Sequence, residues 1–177
     1  MAEEKQENNI DFKTKKYFGI KEFFQNSFVI IGIIAFIGLC IRLTIFPYGI
    51  PFTLDALDYF SYAQITSQMG QFPDNISLTN NGWPGFVSIF FSFLNSENFF
   101  DYVHTQRILS MVISILTIIP VYLLSKQFFP KYFAYIAGAL FILEPRMIIN
   151  SISGGNQPIF IFLITLAIFL FLTKNNK

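Results

Sequence analysis

The first long hydrophobic segment decides the fold class: residues 24–46 read FQNSFVIIGIIAFIGLCIRLTIF. A helix of about 20 apolar residues crosses the roughly 30 Å hydrocarbon core of a bilayer, so this segment is long enough to span it. We do not expect a signal peptide, because the stretch is too long and follows a polar tail. The chain is 53% hydrophobic and only 13% charged, whereas ordinary globular domains carry about a quarter charged residues. The sequence therefore predicts an all-α polytopic membrane protein.

The lysines indicate the topology. All nine fall in three places: Lys5, Lys13, Lys15, Lys16 and Lys21, then Lys126 and Lys131, then Lys174 and Lys177. The positive-inside rule places all three groups in the cytoplasm. We expect about four spans, at residues 24–46, 107–125, 132–150 and 157–173. The membrane domain is then 24–173, and both tails, 1–23 and 174–177, are cytoplasmic in a multi-pass protein of the cell membrane.

A long outer loop, residues 47–106, contains a further apolar run from Trp83 to Leu94. At about a dozen residues, this run is more typical of an interfacial or re-entrant helix than of a span. Counting it as a span would also place Lys126 and Lys131 outside. Loops above about 15 residues tend to be functional, so we expect the outer loop to carry function.

Two acids early in that loop, Asp55 and Asp58, are the leading site candidates. Thr53 can cap a helix over residues 54–69, which we expect to be amphipathic. Residues three apart share a helix face, so both carboxylates would lie together with Tyr59 beside them. Such a pair could handle a proton, a substrate amine or a divalent Mg²⁺ or Mn²⁺. The alternative is two solvated acids favoured by the helix dipole.

Three arginines, Arg42, Arg107 and Arg146, lie at or near the predicted outer ends of spans. Charge at a membrane edge is costly and often functional, and arginine binds phosphate through a bidentate fork. We expect these residues to hold a lipid phosphate. The alternatives are snorkelling to headgroups, or pairing with Asp101 or Glu144.

Four residues are candidates for a pocket at the outer face: His104, Tyr59, Asn156 and Gln157. His104 precedes Arg107 by three and could share its face, although a lone histidine is more often structural. Asn156 and Gln157 open the fourth span after a glycine pair, which predicts either an anion-binding corner or an ordinary turn. Pro145 should break or kink the third hydrophobic run.

Taken in order, several short motifs resemble the N-terminal membrane part of GT-C glycosyltransferases, most closely archaeal members. The motifs are Leu54-Asp55-Ala56-Leu57-Asp58-Tyr59, Asn80-Asn81-Gly82-Trp83-Pro84, Gln106-Arg107, Pro145-Arg146 and Ser151-Ile152-Ser153-Gly154. The group includes protein O-mannosyltransferases, aminoarabinose transferases and the catalytic subunit of oligosaccharyltransferase. The resemblance covers residues 25–173 and departs from the family where Asn156 and Gln157 replace an acidic residue.

The resemblance implies transfer of a sugar from a polyprenyl- or dolichyl-phosphate donor to an acceptor on the outer face. It assigns Asp55 and Asp58 as catalytic or metal-coordinating carboxylates, and it puts Arg107 and Arg146 near the carrier phosphate. Family enzymes are several hundred residues long, so the alternative is a non-catalytic membrane subunit that relies on partner subunits for further spans. No certain cofactor and no nucleic-acid partner are implied. A transporter half is less favoured, because charged residues gather at the outer face.

Overall fold

A computed structural model describes residues 27–50, 52, 54–74, 80–94 and 96–175. These residues form eight helices and no strand. The helices are α1 Ser27–Thr44, α2 Leu54–Met69, α3 Gly82–Phe91, α4 Phe99–Leu116, α5 Ile118–Phe128, α6 Lys131–Leu143, α7 Pro145–Ser153 and α8 Gln157–Asn175. The predicted polar tail at 1–23 and the Thr53 cap lie outside the described residues.

Three of these segments are long and apolar enough to cross a membrane: α1, the combined α4–α5 segment Phe99–Phe128, and Gln157–Lys174 of α8. A fourth crossing is formed if α6 and α7, which meet at a 52° bend, count as one broken span. The all-α polytopic membrane fold is therefore confirmed, with three or up to four spans. The predicted break lies where expected, since α6 ends at Leu143 and Pro145 opens α7.

The second span begins earlier than the sequence predicted, at Phe99 rather than at residue 107. Asn98 caps it, because its side chain accepts a hydrogen bond of 3.0 Å from the Phe100 amide. The Phe99–Phe128 segment has 30 residues, and at about 1.5 Å per residue it reaches about 45 Å. It is therefore longer than the roughly 30 Å hydrocarbon core of a bilayer.

Two loop helices, α2 and α3, lie between the first and second spans. The predicted helix over 54–69 is confirmed as α2. The apolar run from Trp83 to Leu94 forms most of α3, which has only ten residues. The two helices pack on each other and on the start of α4, around one apolar cluster. That cluster consists of Phe52, Ala56, Phe60, Ala63, Trp83, Val87, Phe91 and Val103.

A second apolar cluster joins α1, α5 and α6; its buried members are Ile31, Ile118, Tyr122, Ala134, Tyr135 and Ile142. Two glycines allow its close packing. A Cβ on Gly38 would lie 2.2 Å from Ile142 Cγ2, and one on Gly138 would lie 3.2 Å from Ile118 Cγ1. The cluster holds α6 against the first span.

The two ends of the bundle differ in charge. One end carries residues 44–50, α2, α3 and α7, and we call it the loop end. At the opposite end Gln127 Nε2 donates to Thr173 Oγ1 at 2.8 Å, and we call it the lysine end. The described lysines, Lys126, Lys131 and Lys174, are at the lysine end, whereas the described acids lie at the loop end: Asp55, Asp58, Asp74, Glu97, Asp101 and Glu144.

Candidate functional site

The acid pair lies on the outward face of α2. Asp55 and Asp58 are both exposed, as are Leu57 and Ser61, while the opposite face packs into the apolar cluster of the loop helices. The shared face predicted from the spacing therefore follows from the helix. Tyr59 is directed differently, since it is half-buried and packs against that cluster. The structure thus presents two neighbouring carboxylates directly after the first span, without the tyrosine beside them.

Arg42, one of the three predicted phosphate ligands, is completely buried. Its Nε donates to Ser151 Oγ at 2.9 Å, and its Nη1 donates to the carbonyl oxygens of Gly38 at 3.0 Å and Ile142 at 3.1 Å. Its Nη2 reaches Ser114 Oγ at 3.4 Å. The Ile142 carbonyl is among the last four of α6, which have no partner inside that helix.

These contacts explain how a charged side chain is tolerated inside the bundle. The C-terminal end of α6 carries a partial negative charge, which favours a nearby cation. Arg42 therefore closes the end of α6 at the break before Pro145 and ties α1 to α7 through Ser151. In this arrangement its guanidinium has no surface through which it could contact a lipid phosphate.

Arg107 is also nearly buried, with 3% of its surface exposed. Its Nη1 donates to the carbonyl oxygens of Pro47 at 2.9 Å and Ile50 at 2.7 Å. Its guanidinium carbon lies 4.9 Å from the centroid of the Phe52 ring, a cation–π contact. Arg107 thus holds residues 47–50, which connect the first span to α2.

The acids proposed as alternative partners for the arginines lie at helix N-termini instead. Asp101 accepts hydrogen bonds from Ser96 Oγ and, at 3.4 Å, from Asn98 Nδ2. Glu144 accepts a hydrogen bond of 2.6 Å from the Met147 amide at the start of α7. Glu144 therefore caps α7, whereas Asp101 lies in the first turn of α4 and binds the polar side chains that precede it. The helix dipole favours a carboxylate at both positions.

Arg146 differs from the other two arginines. It lies exposed in the first turn of α7 at the loop end. Within the part of the chain that the structure describes, its guanidinium makes no hydrogen bond or ion pair. Of the three predicted phosphate ligands, Arg146 is therefore the one whose guanidinium group lies at the surface.

His104 takes part in a small aromatic group at the loop end. Its Nε2 lies 2.8 Å from the Tyr48 carbonyl oxygen, and because a carbonyl only accepts, Nε2 carries the proton. The imidazole also lies 5.8 Å from the Phe46 ring and 6.0 Å from the Phe100 ring, measured between centroids. These contacts assign His104 to holding the chain after α1 against α4.

One backbone oxygen joins the loop helices to the spans, and the sequence did not reveal it. The Gly154 carbonyl accepts from Trp83 Nε1 at 3.1 Å and from Gln106 Nε2 at 2.7 Å. Gln106 Nε2 also reaches the Ala56 carbonyl oxygen at 3.3 Å. Gly154 adopts a φ of 81°, which favours glycine, and its Cα lies against the Phe52 ring. The sequence feature that could have indicated this junction is the spacing of the polar residues Gln106, Ser110 and Ser114, which lie one helical turn apart in a largely apolar span.

A pocket of about 320 Å³ opens between the N-termini of α3 and α8, beside this carbonyl. It is lined by Asn80, Gly82, Trp83, Asn156, Ile159, Phe160 and Leu163. Asn156, predicted as a pocket residue, is therefore part of a cavity. Gln157 is exposed and does not line it. The Asn156 side chain is half-buried and makes no hydrogen bond within the described part of the chain.

The described residues contain no group of three or more His, Cys, Asp or Glu side chains that could hold a metal ion. Asp55 and Asp58 alone could provide two carboxylates. Mg²⁺ is often bound by one or two carboxylates together with substrate phosphate and water, so the pair fits a metal that a phosphorylated substrate completes. It does not fit a metal site formed by the described residues alone.

Comparison with known proteins gives no relative: no protein-family model, curated protein or solved structure matches this chain.

Proposed function

We propose that this chain is a membrane glycosyltransferase of the GT-C type, or the catalytic-loop half of one. It would transfer a sugar from a polyprenyl- or dolichyl-phosphate donor to an acceptor at the outer face. The observation that carries the proposal is the exposed pair Asp55 and Asp58 directly after the first span, at the end of the bundle that also exposes Arg146. The proposal also rests on the order of the short motifs that resemble this family.

The orientation is part of the proposal. Because Lys126, Lys131 and Lys174 lie at the lysine end, the positive-inside rule puts that end in the cytoplasm. Both termini are then cytoplasmic, and the loop end faces outward. This orientation gives the acid pair access to donors whose headgroups lie in the outer leaflet.

In the proposed reaction, an acceptor oxygen or nitrogen attacks C1 of the donor sugar. The bond from C1 to the carrier phosphate oxygen breaks with inversion, and the lipid phosphate leaves. Asp55 or Asp58 takes the acceptor proton, a contribution of typically about 10²–10⁴-fold in rate. Arg146 stabilises the charge that develops on the phosphate. A divalent ion, if used, would be held by the two carboxylates and would neutralise donor phosphate charge.

Because Arg42 and Arg107 are buried, the proposal no longer includes them as direct ligands of the donor phosphate. Both guanidiniums donate to backbone carbonyls of this chain, at 3.1 Å or less. We assign them to positioning the chain at the loop end, and we assign the direct phosphate contact to Arg146.

The test compares single variants in membranes supplied with a lipid-linked sugar donor. Asp55→Asn and Asp58→Asn should each reduce sugar transfer by about 10²-fold or more while the protein stays in the membrane. Asp74→Asn is the matched control, because Asp74 is an exposed acid at the same end of the bundle. Full transfer by both Asp55→Asn and Asp58→Asn would refute the catalytic assignment.

A second candidate is a non-catalytic membrane subunit, and the exposure of α8 favours it. Only 6% of the Gln157–Lys174 window is buried, compared with 39% of the most hydrophobic 18-residue window within Phe99–Phe128. A partner span could cover this surface. Gentle extraction followed by mass spectrometry tests the idea: a stoichiometric second polytopic chain, with no transfer by this chain alone, would favour the subunit.

A further inference from the structure

The pocket between α3 and α8 has properties that neither the acid pair nor Arg146 explains. Its volume of about 320 Å³ lies near the lower limit of small-molecule sites, which range over roughly 300–1,000 Å³. It is therefore large enough for a headgroup and the first part of a chain, but not for a whole lipid.

The lining changes from polar to apolar along α8. Asn156 lies at the helix start, and Ile159, Phe160 and Leu163 follow over the next two turns. Phe160 and Leu163 are 62% and 55% exposed. Because α8 is long and apolar enough to cross a membrane, these exposed side chains would face lipid and the pocket would open sideways to the bilayer. A ligand would enter from the membrane, with its polar part toward the loop end.

The polar groups of the pocket are uncharged. Asn80 Oδ1 accepts from the Gly82 amide at 3.3 Å, which leaves the Nδ2 of Asn80 as a donor. The Asn156 amide offers both a donor and an acceptor. Among the described residues, no charged side chain lines the pocket, and a full negative charge beside lipid would lose its solvation without a counter-charge. Hydroxyl groups, which donate and accept, match these amides.

We propose that this pocket binds the uncharged, hydroxyl-bearing headgroup of a bilayer lipid, with the lipid chain lying along Phe160 and Leu163 of α8. The site is separate from the acid pair, and the proposal holds whether or not the chain transfers sugar.

Trp83 makes the proposal measurable, because it is the only tryptophan of the chain and it lines the pocket. Lipids with brominated chains quench tryptophan at short range. The full chain is reconstituted in phosphatidylcholine bilayers that contain one brominated lipid, either monoglucosyl diacylglycerol or phosphatidylglycerol. Brominated phosphatidylcholine gives the reference.

The wild-type chain should bind the brominated glucolipid about fivefold more tightly than the reference lipid, the effect of one neutral hydrogen bond. Asn156→Leu, which keeps a similar volume without the amide, should abolish this preference, so that the glucolipid and the reference lipid bind equally. Leu163→Phe should weaken quenching by narrowing the pocket. Asn150→Leu is the matched control, since Asn150 is an amide at the loop end that does not line the pocket.

Equal quenching by the glucolipid and the reference lipid would overturn the proposal. So would stronger quenching by phosphatidylglycerol, which would indicate anion binding at the two helix N-termini. A glucolipid preference that survives both Asn156→Leu and Leu163→Phe would also overturn it, because the lipid would then bind elsewhere. Sugar-transfer activity does not enter any of these outcomes.

Discussion

Replacing Arg42 with methionine should destabilise the bundle, because methionine is long enough to fill the space but cannot donate hydrogen bonds. The main loss is at the Ile142 carbonyl, which accepts from Arg42 Nη1 at 3.1 Å and lies at the end of α6. The Gly38 carbonyl retains its partner, since the backbone amide of residue 42 is its normal helical donor. Ser151 Oγ still donates to the Ile148 carbonyl at 2.6 Å.

The magnitude follows from these separate losses. A buried carbonyl left without a partner costs about 1–3 kcal/mol. An interhelical bond such as the one to Ser151 contributes about 0.6 kcal/mol on average within membranes, and at most about 1.7. The substitution also removes a buried charge, which offsets part of the loss. We therefore expect a decrease of about 2 kcal/mol in the free energy of unfolding.

The assay is unfolding in mixed micelles with increasing sodium dodecyl sulfate, followed by the fluorescence of Trp83. Arg146→Met is the matched control: this exposed arginine has no hydrogen bond within the described residues, so the change should stay within about 0.5 kcal/mol. Adding Ser151→Ala to both the wild type and Arg42→Met measures the coupling between the two side chains. An Arg42→Met protein as stable as the wild type would refute the capping role.

Two further predictions concern packing and orientation. Gly38→Ala should lower the free energy of unfolding by about 1–3 kcal/mol through overpacking, since its Cβ would lie 2.2 Å from Ile142 Cγ2. Gly32→Ala is the control: its Cβ meets nothing within 4 Å, so the change should be neutral or slightly stabilising. Equal unfolding curves for the two variants would contradict the close approach of α1 and α6. In a cysteine-free background, Ile50→Cys should react with an impermeant maleimide on intact cells and Phe128→Cys only after permeabilisation, and the reverse pattern would invert the proposed orientation.

The sequence predicted the parts of the fold that depend on local pattern. Hydrophobic length identified the spans, and the α2 helix was predicted with the bounds that the structure gives. The break before Pro145 was also predictable, because proline cannot continue a helix at that position. The start of the second span was predicted too late, because polar and charged residues alternate with apolar ones directly after the Asn98 cap, a pattern also found in loops.

The roles of the arginines were not predictable in the same way. Arg42 and Arg107 resemble Arg146 in sequence, because all three lie near predicted span ends. Their different environments come from packing: the Arg42 partner at Ile142 is 100 residues away, and the Arg107 partner at Pro47 is 60 residues away. Contacts of that kind depend on which helices pack together, and a single sequence carries no direct signal of it.

The pocket shows the same limit. Asn156 was predicted as a pocket residue from the turn that opens α8, but its neighbours Asn80 and Trp83 come from a different part of the chain. Only the packing of α3 beside α8 brings these residues together. The acid pair is different, because Asp55 and Asp58 lie on one helix and their shared face follows from spacing alone.

The Gly154 carbonyl has a consequence for the order of events during synthesis. Its donor Trp83 precedes it by 71 residues, which at about 5–20 residues per second is a delay of about 4–14 seconds on the ribosome. Over that interval α2 and α3 exist without the oxygen that receives both Trp83 and Gln106. The loop helices therefore reach their final position only after Gly154 has been synthesised, so the placement of the helix that carries the acid pair depends on a residue made well after that helix.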